Sequence, residues 1–221
     1  PVHTLGHPAR ADSLRAVCDR WGLSLIEDAA ESLGSFRNGQ HTGRAGVLGV
    51  FSFNGNKIVT TGGGGMIVTD DPGLAARVRH LTTTAKVPHP YRFDHDEAGF
   101  NYRMPALNAA LGCAQMQQLP QFIERKRKLA RAYADWFNDA GIACITEPAN
   151  TRSNYWLNAF LVEGPEQRER VLQETNARGV MTRPLWTPMH RLPMYRDCQR
   201  APLPLTEWLE ARVVNIPSSV I

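Results

Sequence analysis

Lys57 lies at a place in the sequence where its amine could act as a nucleophile. It follows an apolar stretch, residues 47–53, and stands between Asn56 and Ile58, ahead of a glycine run at residues 62–65. A lysine at a strand end beside small, flexible residues can be partly desolvated, which lowers its pKa and makes its amine nucleophilic. From these surroundings alone, an ordinary exposed lysine is the more common case. The glycine run matches no Walker A or dinucleotide-binding pattern, so it indicates a tight turn or a close backbone approach.

Three further polar residues could serve the same chemistry. Asp28 ends a short apolar stretch, and open α/β sheets place their ligands at the carboxyl ends of strands. An N-cap for a following helix is an equally common role for such an aspartate. Asn101 and Arg103 lie in a stretch without clean periodicity, residues 82–103, and an Asn/Arg pair suits an anionic group. Ser52 carries no signal on its own.

Apolar periodicity around these residues predicts helices and strands in alternation. Leu14, Val17, Cys18 and Trp21 have the i, i+3, i+4, i+7 spacing of an amphipathic helix, which Gly22 ends. The predicted elements that follow are strands at residues 23–27, 47–53 and 66–69, and a helix from Pro72 onward. Strands that alternate with helices favour an α/β fold with a largely parallel sheet.

The second half of the sequence predicts a long helix followed by short strands and helices. A helical pattern starts at Pro105, and we expect Pro120 to interrupt it. The basic run at residues 125–128 is predicted to be a solvated helix face. After Gly141, the predicted elements are short strands at residues 142–145 and 158–162 and helices near residues 166–176 and 206–214. We therefore expect the C-terminal part of a large domain at residues 1–125 and a small α+β domain at residues 126–221.

Composition narrows the class of protein. The 221 residues are 43% hydrophobic and 21% charged, and the formal charge of +4 is too small and too scattered to predict nucleic-acid binding. The four cysteines form no C-x-x-C pair, so we expect reduced thiols, and we predict no metal site. No apolar stretch is long enough to span a bilayer and no signal peptide opens the sequence, so we predict a cytoplasmic protein without membrane contact.

Three segments together resemble the sugar aminotransferase family, of the DegT/DnrJ/EryC1/StrS type, a branch of the fold-type I pyridoxal-phosphate enzymes. They are E-D-A-A-E-S at residues 27–32, S-F-N-G-N-K at residues 52–57 with T-T-G-G-G-G after it, and G-F-N-Y-R-M at residues 99–104. The resemblance runs along the whole chain. It is closest to the subgroup that acts on UDP-linked 4-keto-6-deoxy-N-acetylhexosamines in bacillosamine and legionaminic acid pathways, through residues 80–86, 153–159 and 181–186.

The resemblance implies pyridoxal 5'-phosphate as the cofactor and gives the first three segments their roles. Lys57 would bind the cofactor as a Schiff base and then move the proton on which transamination depends. Asp28 would pair with the protonated pyridine nitrogen and Ser52 would bind the phosphate. Many family members carry Gln in place of Glu31, near the phenolic oxygen of the cofactor, so an acid here either stays protonated or turns away. Asn101 would reach the cofactor phosphate of a neighbouring subunit, which implies a homodimer with shared sites.

The resemblance is less specific about the residues that would bind the substrates. Arg103 would bind the carboxylate of the amino donor or the sugar nucleotide, and Arg183 and His190 would contact the nucleotide-linked sugar. Trp156 and Trp186 lie in segments typical of the subgroup, but core packing is at least as common a role for them. A satisfied loop histidine is also the more common role for His190.

The resemblance therefore predicts transamination of a UDP-linked keto-sugar, with glutamate as the amino donor, in surface-polysaccharide biosynthesis. Two alternatives stay open, a pyridoxal-phosphate-dependent sugar dehydratase and an inactive relative that acts as a dimerising module. The sequence opens on Pro1-Val2-His3, and the family's phosphate loop and ring-stacking aromatic residue would precede this point. We therefore expect an N-terminal part to be absent, and a complete site to need that part and a second subunit.

Overall fold

The computed structural model describes residues 1–220, which form two compact units. Unit 1 consists of Pro1–Glu124 and Glu147–Trp156, and unit 2 of Arg125–Thr146 and residues 157–220. The predicted large domain ended at residue 125 and left residues 147–156 to the small domain. In the structure this short segment belongs to unit 1.

The elements follow one another in this order along the chain. Unit 1 holds α1 (Ala11–Trp21), β1 (Ile26–Asp28), β2 (Phe36–Arg37), β3 (Gln40–His41), β4 (Leu48–Ser52), β5 (Gly65–Val68), α2 (Pro72–Thr82), the first part of α3 (Ala106–Asp139), and β6 (Thr151–Arg152). Unit 2 holds the rest of α3, β7 (Asn158–Leu161), α4 (Pro165–Ala177), β8 (Arg183–Pro184), α5 (Pro204–Glu210) and β9 (Val213–Ile216). The α/β class expected from the sequence is confirmed.

The sheet that carries the site has the strand order β1-β4-β5. β1 and β4 are parallel, and β4 and β5 are antiparallel, so the sheet is mixed where a largely parallel one was predicted. Alternation along the strands buries Glu27 and Phe51 on one side and leaves Ile26 and Val50 exposed on the other. A second, small antiparallel sheet has the order β3-β2-β6, which explains why residues 147–156 belong to unit 1.

The helices of unit 1 begin and end where their sequences direct. Gly22 ends α1 in the left-handed conformation, with φ of 63°, which glycine adopts without a Cβ penalty. The Asp71 side chain accepts hydrogen bonds from the amides of Gly73 and Leu74 and so caps α2, whose first residue is Pro72.

The interruption predicted at Pro120 is wrong, because α3 continues through that residue. A proline inside a helix removes one backbone hydrogen bond, yet packing of one helix face can outweigh this cost. Ile123, Ala130 and Phe137 recur every seven residues along α3, and all three are buried.

The core of unit 2 is apolar and lies between α3 and the sheet β7-β9-β8. It contains Phe137, Phe160, Val162, Val214 and Ile216, and the rings of Phe137 and Phe160 stack with centroids 4.7 Å apart. The helix predicted near residues 206–214 is partly wrong, because α5 ends at Glu210 and residues 213–216 form the central strand β9. Its β-branched Val-Val-Asn-Ile sequence suits a buried strand. Residues 142–145 form only an isolated bridge, Cys144 with Phe160, and no strand.

The basic run of α3 is not wholly solvated, contrary to the prediction. Lys126 is half-buried, and its Nζ donates a hydrogen bond to the Ser218 carbonyl at 2.7 Å. Burial lowers the pKa of Lys126 to about 8. All four cysteines, Cys18, Cys113, Cys144 and Cys198, carry free thiols. No helix among residues 1–220 combines the length and the apolar character that a membrane span requires.

Candidate active site

The loop after β4 brings Lys57 back toward the sheet. Its backbone closes through hydrogen bonds from the Lys57 amide to the Asn54 carbonyl, at 3.0 Å, and from the Thr61 amide to the Phe53 carbonyl, at 3.0 Å. The Lys57 side chain is only 13% exposed. Its position after an apolar strand thus gives the partial desolvation that a reactive amine needs.

Glu31 and Trp156 are the close neighbours of the Lys57 ammonium group. Its Nζ lies 3.8 Å from Glu31 Oε1 and 3.9 Å from the centroid of the Trp156 ring. Burial lowers the pKa of Lys57, although the negative charges of Glu31 and Asp28 oppose this shift. The amine is therefore easier to deprotonate than that of an exposed lysine.

Glu31 does not turn away from Lys57. Its Oε2 accepts a hydrogen bond from the Leu5 amide at 2.7 Å, while Oε1 faces the lysine. Burial raises the pKa of Glu31, the Leu5 amide and Lys57 act against the rise, and Asp28 adds to it. Burial favours the neutral form of both the acid and the amine, so it brings their pKa values closer together.

Asp28 and Ser52 lie on one face of the sheet, at the carboxyl ends of β1 and β4. Asp28 pairs with Val50 across the two parallel strands, and Ser52 follows Val50 by two residues, so their side chains project to the same side. One oxygen of Asp28 accepts a hydrogen bond from the Ala30 amide at 3.1 Å, and the residue is exposed. The Ser52 hydroxyl oxygen accepts from the Asn54 amide at 3.3 Å, and within residues 1–220 its own proton has no acceptor.

The segment that carries Trp156 is held in unit 1 by Asn154, which the sequence did not single out. The Asn154 amide nitrogen, Nδ2, donates to the carbonyls of Glu31 and Leu33 at 2.9 Å each, and its Oδ1 accepts from the Trp156 amide at 2.8 Å. Asn154 and Trp156 are buried. The family resemblance included residues 153–159 but gave Asn154 no role, because about a hundred residues separate this segment from Lys57.

A buried carboxylate, Glu27, which is hydrogen-bonded to His3, lies beneath β1 and was also missed. The Glu27 carboxylate is 2.9 Å from His3 Nε2 and accepts hydrogen bonds from the amides of Gly43, Ala45 and Gly46. Burial acts to raise the pKa of Glu27, but the hydrogen bonds from His3, Gly46 and Gly43 outweigh it and lower the pKa to about 2. This carboxylate is therefore an ionised structural anchor for the turn before β4, and it leaves the neighbouring Asp28 as the exposed acid.

The structure does not bring Asn101 and Arg103 to the Lys57 of the same chain. Both are exposed and line an open groove of about 1510 Å³ beside β5, α2 and residues 82–104. Lys57, Asp28 and Glu31 are not part of this groove. Within the described residues, the Arg103 side chain has no hydrogen-bond or ion-pair partner, so its charge is available to an anion.

Arg183 and His190 lie in unit 2. The Arg183 guanidinium donates to Asn176 Oδ1 at 3.1 Å and to the Thr182 carbonyl at 3.0 Å, and His190 Nε2 is 2.8 Å from Glu207 Oε1. His190 is thus satisfied by a local acid, the more common role considered for it. The substrate contacts of both residues stay predictions.

The two tryptophans differ in environment. Trp156 is 3% exposed, whereas Trp186 is 56% exposed, so the core-packing alternative is wrong for Trp186.

One cluster has the composition of a metal site. His80, Asp96 and Glu97 place one potential ligand atom each within 4.8 Å of one another. The cluster is exposed or half-buried, His80 Nε2 is 2.7 Å from Asp96 Oδ1, and Arg77 pairs with both carboxylate oxygens of Glu97. Both acids therefore already have side-chain partners, and the cluster is accounted for as a surface polar network.

Comparisons with known proteins agree with this geometry. The chain is 35% identical over 195 residues to a protein of Bacillus subtilis named putative pyridoxal phosphate-dependent aminotransferase EpsN, with 88% of this chain and 50% of that protein covered. It is 36% identical over 217 residues to the GDP-perosamine synthase of Escherichia coli O157:H7, with 98% and 59% covered. The chain thus spans between half and six-tenths of the length of these relatives.

The fold matches a solved aminotransferase, TlmJ from Streptoalloteichus hindustanus, with a TM-score of 0.91 at 28% identity, covering 98% of this chain and 58% of that one. The profile of the DegT/DnrJ/EryC1/StrS aminotransferase family matches residues 1–220. Of the segments that resembled this family in sequence, residues 27–32 and 153–159 supply the neighbours of Lys57, namely Glu31 and Trp156. The chain belongs to the DegT/DnrJ/EryC1/StrS aminotransferase family.

Proposed function

We propose that this chain carries the reactive lysine of a pyridoxal-phosphate-dependent aminotransferase, which moves an amino group from glutamate to a keto-sugar linked to a nucleoside diphosphate. The observation that carries the proposal is the environment of Lys57, a half-buried amine between Glu31 and Trp156. The proposed activity is that of the whole protein, because the matched relatives are longer than this chain.

The side chains near Lys57 fit the polar groups of the cofactor. An aldehyde requires an amine with a lowered pKa, a pyridine nitrogen a carboxylate, and a phosphate a hydroxyl donor. Lys57, Asp28 and Ser52 supply these three groups, and the acceptor-free proton of Ser52 supports its assignment to the phosphate. When bound, the cofactor supplies an electron sink that lets the C–H bond beside an amino group be broken.

The residues of this chain would then manage the protons. Lys57 Nζ would accept a proton in its neutral form and return it, for which its lowered pKa is suited. Glu31 would hold a proton 3.8 Å away, since its pKa is raised by burial. Asp28, whose charge acts on both neighbours, would supply the negative charge that favours a protonated ring nitrogen.

We infer that Asn101 and Arg103 serve a site on a second copy of the chain in a homodimer. Two features support this inference: Asn101 and Arg103 line an open groove that Lys57, Asp28 and Glu31 do not line, and the Arg103 charge has no partner within residues 1–220. Arg103 would bind the carboxylate of glutamate or a phosphate of the substrate, because a guanidinium suits both geometries. We place the protein in the cytoplasm, in surface-polysaccharide biosynthesis, as part of the same proposal.

Two classes of sugar nucleotide, UDP-linked and GDP-linked, are candidates for the substrate. The resemblance to the N-acetylhexosamine subgroup favours UDP, with Arg183 and His190 as contacts in unit 2. The relative named GDP-perosamine synthase, 36% identical to the chain, favours a GDP-linked sugar as the second candidate.

The test uses the full-length protein with the cofactor, glutamate and either a UDP-linked or a GDP-linked 4-keto-6-deoxy sugar. We expect a visible absorbance band when the cofactor is added, its loss in Lys57→Ala and its retention in Lys128→Ala, an exposed lysine on α3. We also expect 2-oxoglutarate to form with one of the two sugars. A deoxygenated sugar without 2-oxoglutarate would instead identify a dehydratase. A band that survives in Lys57→Ala would overturn the role of Lys57, and absence of cofactor binding would favour the inactive module.

A further inference from the structure

Trp156 contacts both Lys57 and the residue that precedes it. The face of its ring lies 3.9 Å from Lys57 Nζ, measured to the ring centroid. Its indole Nε1–H donates a hydrogen bond to the Asn56 carbonyl at 2.7 Å, and Asn56 immediately precedes Lys57. One side chain therefore constrains both the backbone and the amine of the lysine.

The same segment also constrains the acid on the other side of the lysine. Asn154 donates to the backbone carbonyl of Glu31 and accepts from the Trp156 amide, so Glu31 and Trp156 are joined through a single buried side chain. Tyr155 between them adopts a positive φ of 48°, which turns the chain sharply enough for both contacts. Lys57, Glu31 and Trp156 thus form one assembly from three distant parts of the sequence.

We propose that Trp156 is a positioning residue for Lys57, which holds the amine beside Glu31 and limits its exposure to water. The proposal rests on the proposed function for the reactive role of Lys57, but the geometry concerns the chain by itself. Apolar packing alone would not require a ring face against an ammonium group, nor an indole donor on the carbonyl of the preceding residue. An ammonium group over a tryptophan face is attracted by the ring and is shielded from water by it.

The charge balance around the amine gives the direction of the expected effect. Glu31 and Asp28 are the charged groups that act on Lys57, and both stabilise its protonated form. Burial acts the other way and is the larger influence. Removal of the Trp156 ring loses its attraction for the ammonium group but admits water. Because solvation of the charged amine by water is the larger influence, the pKa of Lys57 returns toward the ordinary lysine range.

The experiment measures the acylation of each lysine by acetic anhydride as a function of pH, by mass spectrometry, on the full-length protein without cofactor. We compare Trp156→Leu, which removes the ring face, with Trp156→Phe, which keeps a ring but loses the donor to Asn56. The matched controls are Trp21→Leu and Trp21→Phe, since Trp21 is in unit 1 and 72% exposed.

We expect the limiting acylation rate of Lys57 to rise about threefold in Trp156→Phe and about tenfold in Trp156→Leu, with its midpoint moved to higher pH. The other lysines and both Trp21 variants should keep their profiles. An unchanged Lys57 profile in Trp156→Phe, or an equal change in every lysine, would overturn the proposal. If the circular dichroism spectrum shows that Trp156→Leu does not fold, the result for Trp156→Phe decides alone.

This result is independent of the proposed aminotransferase activity. The acylation profile needs neither cofactor nor substrate, so it can support the positioning role even where the absorbance test of Lys57→Ala fails. With cofactor present, the same variants should shift the pH dependence of the absorbance band, which a purely structural change would leave in place.

Discussion

Both units of this chain bury apolar side chains, but unit 1 also buries a carboxylate, Glu27, close to the site. Unit 2 packs Phe137, Phe160 and Val214 into an apolar core. The interior of unit 1 around the site contains polar groups, among them the Glu27 carboxylate and the Asn154 side chain, each satisfied by several hydrogen bonds. Apolar packing tolerates changes of shape, whereas a buried polar network requires each partner in place. A site that must orient an amine and an acid gains from the second arrangement.

The largest effect is expected in the apolar core. Phe160→Ala should destabilise unit 2 by about 4 kcal/mol, because it removes a buried ring that stacks on Phe137 and leaves a cavity. Hydrogen exchange of peptides from each unit measures where the loss falls. Phe93→Ala, at a site where the ring is exposed, serves as the control and should change little. Equal losses from both variants would contradict the apolar core as the basis of unit 2.

The polar interior should respond nearly as strongly to a change without any loss of volume. Glu27→Gln keeps the shape of the side chain but removes the carboxylate that accepts hydrogen bonds from His3 and from three backbone amides. We expect unit 1 to lose about 3 kcal/mol, because the amide group of Gln leaves buried N–H donors without an acceptor. Glu174→Gln, an exposed acid in α4, should have no measurable effect on urea unfolding. If Glu27→Gln leaves the stability of unit 1 unchanged, the shape of the side chain alone would be enough to hold this turn.

The same carboxylate predicts how unit 1 responds to acid. The pKa of Glu27 is lowered to about 2 in the folded state, below its ordinary value of 4.5. Its stabilising contribution is therefore present above pH 4.5 and is lost as the pH falls from there through 2. Unfolding measured by peptide-level hydrogen exchange between pH 5 and 2 should show protection lost in unit 1, and Glu27→Gln should flatten this dependence. An unchanged slope in the variant would contradict the assignment.

A smaller effect should follow from the segment that carries Trp156. Asn154→Ala removes two donated hydrogen bonds and one accepted hydrogen bond from a fully buried position, and we expect a loss of about 2 kcal/mol in unit 1. Asn138→Ala, at an exposed position of α3, is the control. Thermal unfolding followed by circular dichroism measures both, and a similar melting temperature for the two variants would contradict the anchoring role of Asn154.

Elements and motifs that depend on residues close together in the chain could be predicted from the sequence. Local patterns identified α1, β4, β5 and α2 because apolar spacing and turn residues act over a few positions, as at Gly22 and Pro72. The segments around Asp28 and Lys57 were found through the family resemblance, since their motifs are contiguous in sequence. The predicted helix ran into the first two residues of the strand β9, because the place of β9 depends on pairing with β7, which lies more than fifty residues earlier.

Dependence on long-range contacts also limited which residues of the site could be predicted. Glu27 gave no separate signal, although it adjoins Asp28, because its partners His3 and Gly46 come from distant turns. Trp156 was placed equally well in a core, and only the folded chain brings its ring to Lys57. Residues whose role depends on one long-range contact are therefore the ones that a single sequence leaves open.

The smallest expected effects come from adding a methyl group to one glycine in each unit. Gly22 ends α1 with φ of 63°, and open space surrounds the position of a Cβ there, so any cost of Gly22→Ala comes from the backbone alone. We expect a loss of about 1 kcal/mol, the cost of an L-residue in the left-handed region. Gly164 precedes α4 with φ of −172°, an extended conformation that alanine adopts freely, and its Cβ position is also open. Gly164→Ala should therefore change the free energy of unfolding by only a few tenths of a kcal/mol, through its weaker capping. Urea unfolding of the two variants measures the difference, and equal losses would mean that the left-handed end of α1 is not retained in solution.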